Sequence, residues 1–288
     1  MEPGFKQSLN ACRVGIIGLG LMGGSLAMAL RDAQACESIS GYDADSGILA
    51  QALQRGIIDR PIDLRGDRVD LLILAAPVNA ILDWLSKIPA FFSGNLHVID
   101  LGSTKGQIAT AMQALPERIS PLGGHPMCGK ETSGLGVATP DLYRKCLFVL
   151  TPLDRTHATT LAIAQQLIAV ISARALILEP DRHDQLAATI SHVPYLASLA
   201  LVQAAMQAHD DAAWTMAASG FRDSTRLAAS NPTMMLDILM SNQTGVLAAL
   251  ARLQTSIDTL TQLVQQGDRA ALQGVMDAAR SRRTTLFT

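Results

Sequence analysis

The segment "GLGLMGG", Gly18 to Gly24, constrains this chain more tightly than any other stretch. Gly18, Gly20 and Gly23 fall in the spacing G-x-G-x-x-G, between the apolar run "RVGIIG" and the helical "LMGGSLAMALRDA". The spacing alone is a weak signal. Between a predicted strand and a predicted helix it specifies a dinucleotide site, and Asp43 completes the pattern 20 residues after Gly23. Gly18 permits the tight turn, Gly20 lets the backbone approach a pyrophosphate, and Gly23 lets the helix pack on the sheet. The N–H groups of Leu21 and Met22 are expected to meet the pyrophosphate at the positive end of the helix. Asp43, at the end of the next strand-like run, can accept from both ribose hydroxyls and repels a 2'-phosphate. "GYDADSG" holds no Lys or Arg to offset it, so NAD is expected over NADP. The bland alternative is a glycine-rich turn with a surface Asp.

Further strand-like runs are "ESISGYD", "VDLLILAAP", "LHVID", "CLFVLTP" and "ALILEP", with helical stretches between them. Near-continuous apolar strands alternating with helices predict a parallel sheet covered on both faces. After Pro180 only helical runs remain. The chain therefore divides into an α/β unit over 1–178 and an all-α unit over 179–288. Pro194 is expected to remove a helix hydrogen bond two residues past His192 and bend the chain there. Val246, Leu250, Leu253, Ile257, Leu260 and Val264 recur at spacings 4, 3, 4, 3, 4. Such a heptad-like seam packs either within the chain or against a second copy.

Composition narrows the partners. A formal charge of -2 leaves no basic face for nucleic acid phosphates. The four cysteines form no CxxC pair, and read as reduced thiols of a cytoplasmic protein. No signal peptide is evident, and apolar runs such as "DLLILAAPVNAIL" are interrupted early, so no membrane span is expected. No histidine or cysteine pairing has metal-ligand spacing, and no GxSxG elbow is present.

In an open α/β sheet, ligands lie beyond the carboxyl ends of the strands. Three loops there are chemically loaded: "AAPVN", "LGSTKG" and "GGHPMCGKETSG". Pro77, in the first, is expected to border the cofactor. Ser103, Lys105 and His125 are expected to converge near its nicotinamide. His125 stands in "SPLGGHPMCGKETSG", a segment too irregular to read as helix or strand, where Gly123 and Gly124 are expected to bring the backbone close to the cofactor. Histidine suits removal of a hydroxyl proton, because its unperturbed pKa is about 6.5. A serine hydroxyl nearby orients the same substrate oxygen. The helical half adds His183 and His192 in "DRHDQLAATISHVPY", and Arg222 and Arg226, four apart, in "SGFRDSTRLAASNP". An arginine in a cleft implies an anionic ligand. Taken singly, His183 and His192 read as structural, and Arg222 with Asp223 as a solvated pair worth about 0–1 kcal/mol.

With "VGIIGLGLMGGSLA", "DLGSTKG", "GGHPMCGKETSG", "HDQLAATISHVPY" and "SGFRDSTRLAASNP" in this order, the chain resembles the prephenate/arogenate dehydrogenases of tyrosine biosynthesis. The resemblance runs from Arg13 to about Gln266. It implies a Rossmann-type dinucleotide-binding domain followed by an all-α domain that forms a homodimer. It also implies NAD-dependent oxidative decarboxylation of a cyclohexadienyl ring bearing a hydroxyl and, across the ring, a carboxylate. His125 falls on the family's catalytic histidine and Ser103 on the serine that holds the ring hydroxyl. Arg226 falls on the arginine for the ring carboxylate, and His192 near the substrate's side chain. Glu131 matches an acidic residue that gates the pocket, and Arg222 a nearby basic position. The chain departs from many members at Lys130, where they have Thr, and at Tyr195, where they have a second histidine near the pyruvyl or alanyl side chain. Prephenate against arogenate is thus left open. A monofunctional enzyme is expected, with no mutase or regulatory segment. Two rivals stand beside it: a β-hydroxyacid dehydrogenase, whose GxxGxxxK-like helix is not found, and a non-catalytic NAD-sensing protein on the same fold.

Overall fold

The computed structural model describes residues 4–64, 66, 68–129 and 132–286. In chain order the first part comprises β1 (Arg13–Ile17), α1 (Leu21–Asp32), β2 (Ser38–Tyr42), α2 (Ser46–Gln54), β3 (Arg60–Pro61), β4 (Leu71–Leu74), α3 (Val78–Phe91), β5 (Leu96–Asp100), α4 (Gly106–Gln113) and β6 (Ile119–Pro126). It continues with β7 (Leu147–Thr151), α5 (Ala158–Val170) and β8 (Arg174–Ile177). The strands form one sheet in the order β3-β2-β1-β4-β5-β6-β7-β8. The order reverses between β1 and β4, which opens the crevice where open α/β sheets bind their ligands.

Strand residues alternate between two cores, as the two-residue side-chain period requires. Val14, Ile16, Leu71 and Ile73 pack with Leu26, Leu30, Ile163 and Leu167 from α1 and α5. Ile17, Leu72, Leu74 and Val98 pack with Ile81, Leu85 and Ile88 of α3 and Ile108 and Met112 of α4. Both faces of β4 and β5 are therefore buried, which is why β4 reads as an unbroken apolar run and β5 buries His97 and Asp100 along with its apolar residues.

The sheet is mixed, where an all-parallel one is expected from the sequence. Pairing is parallel from β3 to β6, but β7 runs antiparallel to β6, with Gly123 opposite Thr151 and His125 opposite Val149. Among the described residues of the link from β6 to β7 the one helical element is a 3₁₀ turn at Leu135–Val137, where a parallel return would need a crossover connection such as a helix. β7 and β8, joined through α5, are parallel again.

The second part holds α6 (Pro180–Ala187), α7 (Val193–Met206), α8 (Ala212–Met216), α9 (Ser219–Thr225), α10 (Pro232–Ser241), α11 (Gln243–Gln266) and α12 (Arg269–Leu286). The regular α hydrogen bonding is interrupted just before Pro194, and the helix continues through it. A π turn at Ala188–His192 joins α6 to α7, and Pro180–Met206 runs on as one helix. Proline cannot donate to the carbonyl four residues back, and the wider turn accommodates its ring. This run is also long and apolar enough to cross a membrane, which the sequence reading missed. Its buried side chains include His183, Asp184 and His192, and it packs on α11.

α10 and α11 meet at 94°. The heptad seam divides in two. Val246, Leu250 and Leu253 pack against Ala188 and Val193, while Ile257, Leu260 and Val264 are exposed. Gly267, in the left-handed conformation at φ 62°, turns the chain into α12, which has no buried residue.

Candidate active site

The glycine turn has the shape its spacing predicts. Gly18 has φ 89°, a conformation that favours glycine, and a Cβ there would run into the Ala75 carbonyl. A Cβ on Gly23 would strike the Gly18 carbonyl, so α1 could not close on β1. Gly20 differs: no atom lies within 4 Å of where its Cβ would be. The space above it is open, and it sits at the N-cap of α1, where no side chain caps the helix. The first-turn N–H groups at Leu21, Met22 and Gly23 face no intrahelical acceptor, the arrangement that holds a pyrophosphate. Asp43, half-buried beyond β2, accepts from the Leu19 N–H at 2.8 Å and the Asp45 N–H at 2.9 Å. Each oxygen keeps a lone pair for a ribose hydroxyl. Open space, unfilled donors and a carboxylate at the β2 end together fit a dinucleotide. Pro77, exposed at the N-cap of α3, follows β4 on the other side of the crevice.

His125 lies on a strand, not in an irregular segment. It is the penultimate residue of β6, at the carboxyl edge onto which the glycine turn also opens. Gly123 and Gly124 make room for protein, not cofactor. A Cβ on Gly123 would meet Thr151 Oγ1, and one on Gly124 would lie 2.6 Å from the Asp100 carbonyl. Lys105 likewise is taken up by protein contacts. It is fully buried, with Nζ on the Asp100 carboxylate and 2.7 Å from the Gly124 carbonyl. Asp100 also accepts from the Gly102 and Gly124 N–H groups. Burial raises the Asp100 pKa and lowers that of Lys105, against the attraction between them. The pair ties β5, α4 and β6 together directly beneath His125.

Behind His125 stands a chain of contacts that the sequence did not announce. His125 Nδ1 lies 2.8 Å from His183 Nε2, and His183 Nδ1 lies 2.8 Å from Asp184 Oδ1. Asp184 accepts from the Lys105 N–H at 2.7 Å and the Gly106 N–H at 2.8 Å, capping α4. Burial pushes the His125 imidazole well below the usual histidine range, with His183, Lys105 and His192 adding to the effect. The ring is neutral near pH 7, the form a base requires. His192 is also buried and held down to about 4, with Asp184 opposing and His183 adding. Asn242, at the α10–α11 corner, donates to the Asp184 carbonyl at 2.7 Å and sits 3.4 Å from His192 Nδ1.

The remaining sequence candidates are spread wider. Ser103 is half-buried in the loop before α4, two residues from Lys105. Tyr195, one turn beyond His192, is buried against Met235 and Ile238. Arg226 is exposed at the start of a 3₁₀ turn, Arg226–Ala229, that follows α9. Arg222 is exposed too, with Nε 3.3 Å from Asp223 Oδ1, the solvated pair weighed above. Glu131, with the departure at Lys130, lies outside the described residues.

A dinucleotide cradle, with a neutral histidine at the same edge of the sheet, defines an NAD-dependent oxidoreductase. The prephenate dehydrogenase nucleotide-binding domain matches residues 26–177, and the prephenate dehydrogenase dimerization domain matches residues 179–278. The chain is 32% identical to the prephenate dehydrogenase of Bacillus subtilis (strain 168) over 262 residues, covering 88% of this chain and 70% of that protein. The prephenate dehydrogenase of Aquifex aeolicus, solved in complex with hydroxyphenyl propionate and NAD+, superposes with a TM-score of 0.91 at 28% identity, covering 97% of this chain and 99% of that one. Synechocystis arogenate dehydrogenase gives a TM-score of 0.82 at 28% identity, covering 95% and 99%. The chain belongs to the prephenate dehydrogenase family, and the β-hydroxyacid dehydrogenase and NAD-sensing readings fall away.

Proposed function

We propose that this protein oxidatively decarboxylates prephenate, arogenate or both, giving 4-hydroxyphenylpyruvate or tyrosine. His125 carries the reading: a neutral imidazole with no partner at Nε2 among the described residues, on the edge of the sheet where the glycine turn opens. NAD bound along that turn supplies the acceptor for the hydride leaving the ring carbon that bears the hydroxyl. His125 Nε2 takes the hydroxyl proton, and Ser103 holds the same oxygen. The ring carboxylate departs as carbon dioxide, its bonding electrons complete the aromatic ring, and His125 returns the proton to the ring oxygen as the phenol forms; aromatisation makes the step effectively irreversible. Arg226 is the proposed partner of the ring carboxylate. His192 and Tyr195 are proposed to border the side chain, with Glu131 as the gating acid and Arg222 as a further basic contact. The common helical face of His192 and Tyr195, three residues apart, supports that grouping.

The proposal extends to organisation. The cofactor unit spans 1–178 and the substrate and dimerisation unit 179–288. A homodimer through the C-terminal helices is supported by the exposed Ile257, Leu260 and Val264 and by an α12 without buried residues. Four free cysteines fit a cytoplasmic enzyme. Purified protein with NAD should form NADH with prephenate or L-arogenate. Silence with both, and again with NADP, would remove the substrate assignment and leave the cofactor site standing.

A further inference from the structure

Resting on the reading of His125 as the base, we propose that His183 and Asp184 are positioning residues that hold His125 in its Nδ1–H tautomer, leaving Nε2 as the basic nitrogen. Asp184 Oδ1 faces the Lys105 N–H and Oδ2 the Gly106 N–H, both obligatory donors at the first turn of α4. Both oxygens must therefore accept. His183 Nδ1, 2.8 Å from Oδ1, must then carry a hydrogen.

With one proton on each ring, His183 Nε2 is left with a lone pair. Its partner at 2.8 Å, His125 Nδ1, has to supply the hydrogen between them. The rings meet edge-on, at 68° with centroids 5.0 Å apart, so an N–H of one can aim at the lone pair of the other. The opposite assignment would set a bare His183 nitrogen against a bare carboxylate oxygen. His183 is 2% exposed and Asp184 7%, so bulk water does not intervene. The pattern thus runs one way, from the α4 amides through Asp184 and His183 to His125. When the hydroxyl proton arrives on His125 Nε2, the Nδ1 proton stays in place. The ring becomes a cation whose Nδ1–H bond to His183 strengthens, with the Asp184 carboxylate one ring further on. The carboxylate of a serine-protease triad fixes its histidine by the same logic, at one remove fewer.

The test is the imidazole nitrogen spectrum of the full-length protein labelled with ¹⁵N-histidine, at mildly alkaline pH. The wild type should show His125 with hydrogen on Nδ1. His183→Phe keeps a ring but no acceptor, and should shift His125 toward the Nε2–H form and lower kcat about 100-fold with KM little changed. His183→Gln, whose carbonyl can accept from His125, should recover much of the loss. A wild-type His125 found with hydrogen on Nε2 would overturn the proposal, even if His183→Phe failed to fold. So would a folded His183→Phe with wild-type kcat and tautomer. A wild type that forms no NADH from either ring acid would refute the proposed reaction, while the spectrum would still decide the tautomer.

Discussion

The three glycines of the first turn play separate parts, and substitution should separate them. Gly20→Val meets no protein atom, so its Tm should match the wild type while NAD binding weakens. Gly23→Val forces α1 off β1 and should lower Tm outright. Equal Tm losses for the two would mean that the turn has no open side. His192 governs a pH effect. Its folded-state pKa of about 4 lies below the unfolded value of about 6.5, so on acidification the unfolded chain takes up the proton first. This group alone should lower stability by roughly 3 kcal/mol between about pH 6.5 and 4, with His125 acting in the same direction. Urea midpoints across that range measure it, and a flat profile would contradict a neutral buried ring. At this scale the glycines, Asp43 and His125 were legible because their signals are local. His183 and Asp184 were not, because their meaning arises from contacts 58 and 79 residues away in the chain.

Among the elements, the Lys105–Asp100 pair joins the start of α4 to the ends of β5 and β6. Lys105→Met should destabilise by about 3–5 kcal/mol, because it strands a buried carboxylate. Chemical denaturation would detect this, and a variant as stable as wild type would mean that the pair is dispensable to the junction. The run of strands and helices through the first part could be read from apolar periodicity alone. The β6 segment misled because "SPLGGHP" pairs two glycines with two prolines, which usually mark turns. Here the glycines let Thr151 and Asp100 approach, and Pro126 closes the strand. The antiparallel β7 was hidden because strand direction depends on the link that precedes it, whose described residues carry a 3₁₀ turn in place of a crossover helix. Nor could the sequence say that Pro194 would be absorbed by a π turn, since that depends on packing against α11.

For the whole molecule, the apolar seam on α11 is half used within the chain. Ile257→Glu with Val264→Glu should convert a dimer to monomer in analytical ultracentrifugation. A dimer of unchanged mass would place the contact elsewhere. The sequence located the seam but not its division, because helix–helix packing follows from how α7 and the bend before α11 set the neighbours. On the proposed function, the dinucleotide cradle and the neutral histidine at one sheet edge make one reaction centre. The measurement that tests this most directly is the kinetics of His125→Asn alongside its NAD affinity. The account predicts that kcat with the accepted ring acid falls roughly 10²–10⁴-fold while NAD binds as tightly as in the wild type. An unchanged kcat would contradict it.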